Sequence, residues 1–582
     1  MRFSKTLALI GVVVFSLFAG VLYAQDKQAD SPKDGVVAVV TARSANAVLE
    51  SVGKAAAKID EPAVLFALAG AQMAINLEGP LGGFDTTKPL AIVVCANQKG
   101  YIALPVKNID FVKRHFFKQS EGDTLKELDD SKGLFEFVSH KQADKKSYLR
   151  LVDGWLFVSE TRDAVPDKIC PLVADTVKRL NKEYLIAIQF SAENIAPEDR
   201  LKALADLNEL VLQNCPKKGK EKPAVVDEVL RNWGKKVYQA VKTYVVDGPS
   251  VVIGLSVDEE KGILVEAKAL APEGTKSAKA LNKVSGVTTN LAGFYQPDSD
   301  WAFRLSGKAK LLNAKQIDEV LNLIGKKLYE HVDDKVKDPQ KNEQVKKDLV
   351  ALKALVADTM DDGIWDCALS AELSADKGVS VVSARYSADG YAAEEFAGEL
   401  FNRIKGACPD FGKVLEKELA VNVDNINGTR IHTLTIPVPE DWPNRDKVQK
   451  FVGGKKLTVA VAFGKNLIGS AIGGNALENL KTALKNSESA KKVPVYEFTQ
   501  RPLEMIKTAE EFCPSMKKWS EELKSFKASM GKTYEKCGLE RFEVTGVENG
   551  VALRYNLSWS GLKTKVKSAP YIKKIQESCK KK

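Results

Sequence analysis

The stretch "VVIGLSVDEEKGILVEAKAL" (Val251 to Leu270) decides how the fold is read. Two apolar, β-branched runs flank a short polar segment ending in Lys261-Gly262, and glycine supplies the positive φ that a tight hairpin turn needs. The arrangement recurs in "PLAIVVCANQKGYIALPV" (Pro89 to Val106), "CALSAELSADKGVSVVSARY" (Cys367 to Tyr386) and "FEVTGVENGVALRYNLS" (Phe542 to Ser558). Their turns fall at Lys99-Gly100, Lys377-Gly378 and Asn549-Gly550. Between the hairpins lie segments with helical spacing of apolar residues, among them Ser44 to Ile59 with Ser44 as N-cap, Glu198 to Asn214, Asn313 to Val332, Asn342 to Met360 and Ala392 to Gly406.

Hairpins alternating with helices predict an α+β chain: two similar units of antiparallel sheet, each with amphipathic helices on one face. The strand, long helix and hairpin come in similar order in both halves, as an internal duplication would leave them. "GVTTNLAGFYQPDSD" (Gly286 to Asp300), rich in Gly, Pro, Asn and Asp, reads as the linker between a first domain, 36–285, and a second, 301–572. Residues 25–35 read as a disordered start and 573–582 as a basic tail.

The first 24 residues set the expected compartment. Arg2 and Lys5 form a charged start, Thr6 to Leu22 an apolar run, and Ala24 a small residue before a polar segment, which is the order of a cleaved signal peptide. The alternative is an uncleaved anchor, because the run approaches the ~18 residues that span a bilayer. Export to a periplasm-like space, the cell envelope or the medium is expected. The net charge is +10. Its cations are mostly Lys, with only 16 Arg, and are interleaved with acids, so no nucleic-acid partner is expected. An envelope lipid or protein partner fits the location better.

Eight cysteines, at 95, 170, 215, 367, 408, 513, 537 and 579, suit an oxidising compartment. No C-x-x-C occurs, which removes haem attachment, thioredoxin-like chemistry and zinc ribbons. Pro follows Cys170, Cys215, Cys408 and Cys513, placing these cysteines at helix starts or ends. Pairing sequence neighbours gives the disulfide candidates Cys170–Cys215, Cys367–Cys408 and Cys513–Cys537, with buried free thiols as the alternative.

The segments "GGFDTTKPLAIVV…GYIALPVKNIDFV" (Gly82 to Val112), "LVDGWLFVSETRDAVPD" (Leu151 to Asp167), "EYLIAIQFSAENIAPEDRLKALADLNELVLQ" (Glu183 to Gln213) and "VTTNLAGFYQPDSD" (Val287 to Asp300) resemble uncharacterised exported proteins of planctomycete type. The similarity covers roughly residues 36–310. It implies an envelope location and a duplicated α+β build, and it carries over no catalytic residue.

A search for chemistry returns little. The four His (His115, His140, His331, His432) share no ligand spacing, so no metal is expected. "IGSAIGG" (Ile468 to Gly474) is mis-spaced for a nucleophile elbow, and "GKT" (Gly531 to Thr533) lacks the leading glycine of a phosphate loop. S-x-x-K occurs at Ser51–Lys54 and Ser515–Lys518 without its partner motifs. "DTMDDGIWD" gathers Asp358, Asp361, Asp362 and Asp366 around Trp365, as a glycosidase or calcium loop could, but Met360 breaks the calcium template and a helix end explains the cluster. The sequence therefore predicts no catalytic, cofactor or metal residues and a non-enzymatic envelope protein that binds or scaffolds. The alternative is an exported hydrolase working through dispersed carboxylates.

Overall fold

The computed structural model describes residues 35–568 apart from 63, 70–81, 97–98, 116–122, 129–132, 140–144, 215–237, 309–316, 320, 323–324, 327–337, 375–377, 408–412, 414–415, 441–443, 503–506, 508–519 and 531–537. The expected signal segment, the disordered start, the basic tail, His140, His331, Ser515 and Lys518 lie outside the described residues. The chain is of α+β class and every strand pair is antiparallel. The hydrogen-bond ladder counts twenty strands as one sheet, where two separate sheets were expected. Compactness divides the chain into unit 1 (Met1–Gly219, Tyr238–Asn282, Val547–Lys563) and unit 2 (Lys220–Val237, Lys283–Gly546, Thr564–Lys582). The first unit is thus discontinuous: Val547–Lys563, expected in the second domain, belongs to it.

Unit 1 holds β1 (Val36–Ala42), β2 (Leu90–Cys95), β3 (Gly100–Pro105), β4 (Thr124–Glu127), β5 (Leu134–Val138), β6 (Lys146–Val152), β7 (Trp155–Ser159), β8 (Ile186–Ser191), β9 (Ser250–Asp258) and β10 (Gly262–Leu270). Pairing runs β4-β5-β6-β7-β3-β2-β1-β8-β9-β10. Unit 2 holds β11 (Trp301–Lys308), β12 (Ile364–Ser374), β13 (Gly378–Tyr386), β14 (Leu419–Ile426), β15 (Thr429–Pro437), β16 (Lys456–Gly464), β17 (Leu467–Ile472), β18 (Tyr496–Gln500) and β19 (Glu540–Val547). Its order is β14-β15-β16-β17-β13-β12-β11-β18-β19, the unit 1 order with ten added to each strand number. The last strand, β20 (Gly550–Leu557), pairs with β10.

Two of the four expected turn glycines take the positive φ, while Gly100 is an ordinary first strand residue. Gly262 and Gly378 take φ of +105° and +80°, but in the last hairpin Asn549 (φ +55°) takes the left-handed position and Gly550 does not. Asn tolerates that region because its short side chain can bond locally. Ser44 caps α1 (Ala45–Ile59) by accepting from Ala47 N at 3.0 Å, and Cys170 is the N-cap of α3 (Pro171–Glu183), which follows α2 (Ile109–His115).

Helices on one sheet face are not what unit 2 shows. Along β16 the small Ala460 and Ala462 point to α9 (Ala476–Lys485), whose Leu480 and Ala483 are fully buried with them. On the other face Arg430 and His432, which flank the buried Ile431 on β15, pair with Glu394 of α7 (Gly390–Ala407) at 2.8 and 3.0 Å. Both sides of the strand are covered because "KLTVAVAFG" alternates small and large apolar residues rather than apolar and polar ones.

The expected linker is also core. Leu291, Phe294 and Tyr295 belong to the buried cluster of unit 2. A Cβ on Gly293 would stand 2.1 Å from the Ala483 carbonyl oxygen, so glycine lets this segment lie against the end of α9. Gly and Asn density marked a tight turn seated on a helix rather than a flexible tether.

Candidate functional site in unit 2

Asp366 is the residue around which unit 2 builds a site. On β12 it faces Ser306 of β11, and Ser306 Oγ donates to Asp366 Oδ1 at 2.9 Å. Thr289 Oγ1 sits 2.8 Å from both carboxylate oxygens and accepts from Leu291 N at 2.8 Å, which fixes its rotamer. Burial pushes the Asp366 carboxyl above the ordinary aspartate range, against hydrogen bonds from Thr289, Ser306 and Asn290 that favour its charge.

The carboxylate lines a cavity of about 310 Å³ at the turn end of the sheet. The β14–β15 turn brings Asn427 and Thr429, the β16–β17 turn Lys465 and Asn466, and the segment after α9 Ser487 and Glu488. Leu291, Ile426, Leu467 and Leu484 form the apolar part of the wall, and the end of β13 adds Tyr386. Asn466 is held by Nδ2 donating to the Ala388 carbonyl at 3.1 Å, and Ser487 Oγ accepts from Gly293 N at 2.8 Å. Tyr386 OH donates to Asp362 Oδ2 at 2.5 Å; desolvation and that carboxylate push its phenol up to about 12, so it stays protonated. The lining is therefore rich in neutral amides and hydroxyls, with the half-buried Asp366 carboxyl and the opposite charges of Lys465 and Glu488.

The acidic motif is resolved by this geometry. Asp358 and Asp361 fall in the last turn of α6 (Pro339–Asp361), Asp362 is taken by Tyr386, and only Asp366 and the Tyr386 that binds Asp362 reach the cavity. Thr289, Ser306, Tyr386, Asn466 and Ser487 carried no motif, because five separate segments supply them. Proximity to a β-turn was their only sequence signal.

A second arrangement lies in unit 2's sheet. Arg304 bonds Glu497 across β11 and β18, and Arg541 bonds Glu497 at 2.5 Å and Glu543 at 3.1 Å. The Arg304 guanidinium stacks 4.5 Å over the Tyr295 ring. In unit 1 the buried Glu266 is held by Tyr184 OH, Arg554 Nε (2.6 Å) and Lys268 Nζ (3.0 Å). Burial alone would raise the Glu266 carboxyl; these three partners prevail and lower it. In both networks a buried carboxylate is held by partly exposed cations, which suits structure rather than turnover.

Ser51 and Lys54 do meet in unit 1, along α1. Glu259 and Glu50 bind the Lys54 ammonium and raise its pKa, so it cannot serve as the neutral base an S-x-x-K site requires. His432 lies between Glu394 and the edge of Phe463. Among the described residues no group of three or more His, Cys, Asp or Glu could hold a metal ion, and no helix is long and apolar enough to cross a membrane.

The structure does not join Cys170 to Cys215 or Cys367 to Cys408: Cys170 and Cys367 are half-buried free thiols. Burial raises the Cys367 thiol further. Cys170 packs on the unit 1 core and Cys367 sits within β12, so their surroundings satisfy them as small apolar side chains. Cys215, Cys408, Cys513 and Cys537 lie outside the described residues. No family model matches the chain, nor does any curated protein or solved structure.

Proposed function

We propose that this chain is an exported binding protein whose unit 2 cavity takes a small neutral polyhydroxy ligand of monosaccharide to disaccharide size. One observation carries the reading: a cavity of about 310 Å³ in which Asn427, Thr429, Asn466 and Ser487 ring a half-buried Asp366 beside Tyr386, with the opposite charges of Lys465 and Glu488 also in its lining. Neutral amides and hydroxyls donate and accept by turns, as sugar hydroxyls do, and the carboxylate adds a charge-assisted acceptor. An acyl chain, the lipid ligand expected from layered helices, would strand those polar groups without partners.

The test is calorimetric titration of the full mature chain with a panel of monosaccharides and disaccharides, repeated on Asp366→Asn and Asn466→Ala. Binding of at least one sugar, weakened tenfold or more by either substitution, is the expected result. Binding of none, or binding that both variants retain, overturns the reading. Release of reducing ends from oligosaccharides would move the protein to the hydrolase alternative, with Asp366 as its acid.

We infer also that the scaffold arose by internal duplication. Matching strand orders support it, and so does the β10–β20 pair: Gly262 and Gly550 open these equivalent strands, which makes Glu266 and Arg554 equivalent positions, and those two residues face each other. Two identical strands would set like charges there; divergence within one chain allows the 2.6 Å ion pair.

A further inference from the structure

Unit 1 carries a cavity that none of the foregoing uses. Its volume is about 340 Å³, and one stripe of α1 forms a wall with Glu50, Ser51, Lys54 and Lys58. Leu185, Val257 and Trp559 line its apolar side. Trp559 is anchored: its indole N–H donates to the carbonyl oxygens of Asp258 and Glu259 at 3.1 and 3.0 Å, and the residue is 8% exposed. The anchored indole has no further donor, so what it offers a ligand is apolar surface.

The charges on the rim are not balanced. Lys54 binds both Glu50, at 2.7 Å, and Glu259, so the two carboxylates of the cavity are engaged by one ammonium. Lys58 adds a coulombic pull on Glu259, so of three cations against two carboxylates one is left over. It is Arg43, which spends only its Nε, on the Asn181 carbonyl oxygen at 2.9 Å, and which among the described residues pairs with no acid. Arg43 therefore keeps the planar Nη edge that matches a carboxylate in two parallel bonds.

We propose that this cavity binds an amphipathic organic anion, a carboxylate or sulfonate whose apolar body lies against Leu185, Val257 and Trp559 while its acid group meets Arg43. A neutral sugar lacks the charge, and an amine would be repelled by the surplus cation, so this specificity differs from that proposed for the unit 2 cavity.

The experiment is calorimetric titration of the full mature chain with 4-phenylbutyrate, against 4-phenylbutylamine of the same shape and opposite charge. Phenylbutyrate should bind and the amine should not. Arg43→Gln, at the surface, should weaken phenylbutyrate by about tenfold, the worth of one charge-assisted hydrogen bond, and Arg43→Lys, which keeps the charge without the planar edge, by less. Asp366→Asn should leave it unchanged, which separates this site from the unit 2 cavity. Equal binding of the amine, no binding of the acid at millimolar concentration, or unchanged affinity in Arg43→Gln would overturn the proposal.

Discussion

Position for position, the two units answer one backbone problem with different chemistry. The backbone bonds Arg43 N to Leu185 O and Leu185 N to Leu255 O in unit 1 recur as Ser306 N to Val495 O and Val495 N to Val544 O in unit 2, which sets the buried Ala91 on the buried Ala368; on the same strand pair Thr41 faces Ala91 in unit 1, and two residues along Ser306 faces Asp366 in unit 2. In unit 1 the hydroxyl of Thr41 donates to the Leu90 carbonyl at 2.8 Å and accepts from Asn181 at 2.9 Å, while Ala91 and its neighbour Ala103 are 1% and 0% exposed. In unit 2 the Ser306 hydroxyl donates to a carboxylate beside a cavity. The difference teaches that a hydroxyl on the same strand pair can serve the core in one unit and a binding surface in the other, with the strand order unchanged. What distinguishes them is whether a second layer of hydroxyls, here Thr289, is present to satisfy a charge.

The sharpest way to break the comparison is to write unit 2's residue into unit 1. Ala91→Asp places a carboxylate at a 1% exposed site without the Thr289 equivalent, and should cost about 4 kcal/mol in urea unfolding followed by circular dichroism. A cost under about 1 kcal/mol would show the two sites to be chemically alike. Next in size is Arg304→Met, which removes one of two guanidinium partners from the 1% exposed Glu497 and should cost about 3 kcal/mol by the same measurement. On the corresponding strand pair of unit 1 Val39 faces the neutral Gln189, so Val39→Met should cost far less.

Gly254 offers a smaller test, in unit 1. A Cβ there would lie 2.1 Å from the Tyr184 ring, which covers β9 and presents its hydroxyl to Glu266. Gly254→Ala should lose about 1–3 kcal/mol through displacement of that ring. Its unit 2 equivalent is Glu543, where a side chain is already accommodated.

The smallest effect expected is in the pH profile of Asp366→Asn. The folded carboxyl has a raised pKa, so the folded state holds its proton more tightly than the unfolded chain. Its contribution to stability is full below the ordinary aspartate value of 3.8 and falls as pH rises through the folded value. The Asn variant should therefore gain on the native chain as pH rises from about 4 and run parallel to it once both states are ionised. A constant difference between the two across that range would mean that burial does not perturb this carboxyl.

Much of the architecture was legible because hairpins are local. Lys261-Gly262 and Asn549-Gly550 sit between apolar runs within twenty residues, and Ser44 and Cys170 mark helix starts through their own backbones. The linker reading of Gly286 to Asp300 failed because Gly293 serves a contact with Ala483, 190 residues away. The one-face reading failed because β16 alternates small with large rather than polar with apolar, a distinction that periodicity in hydropathy blurs. Of the site, Asp366 was visible as one of four clustered acids, but its selection from among them was not.

The sequence alone determined the elements and their repetition, since turn glycines, caps and alternating runs act over a few residues and need no partner to be read. It also determined the poverty of local motifs, which is a property of spacing. The tertiary structure decided which residue of these strands became core and which became site: Ala91 is enclosed under β1, whereas Asp366 meets Ser306 of β11 and the Thr289 segment beside a cavity. It decided the fate of the charges as well, because whether Glu259 is open or held by Lys54 depends on two segments 205 residues apart meeting in space. Burial and pairing are sums over neighbours from distant parts of the chain, and those neighbours exist only once the sheet has formed.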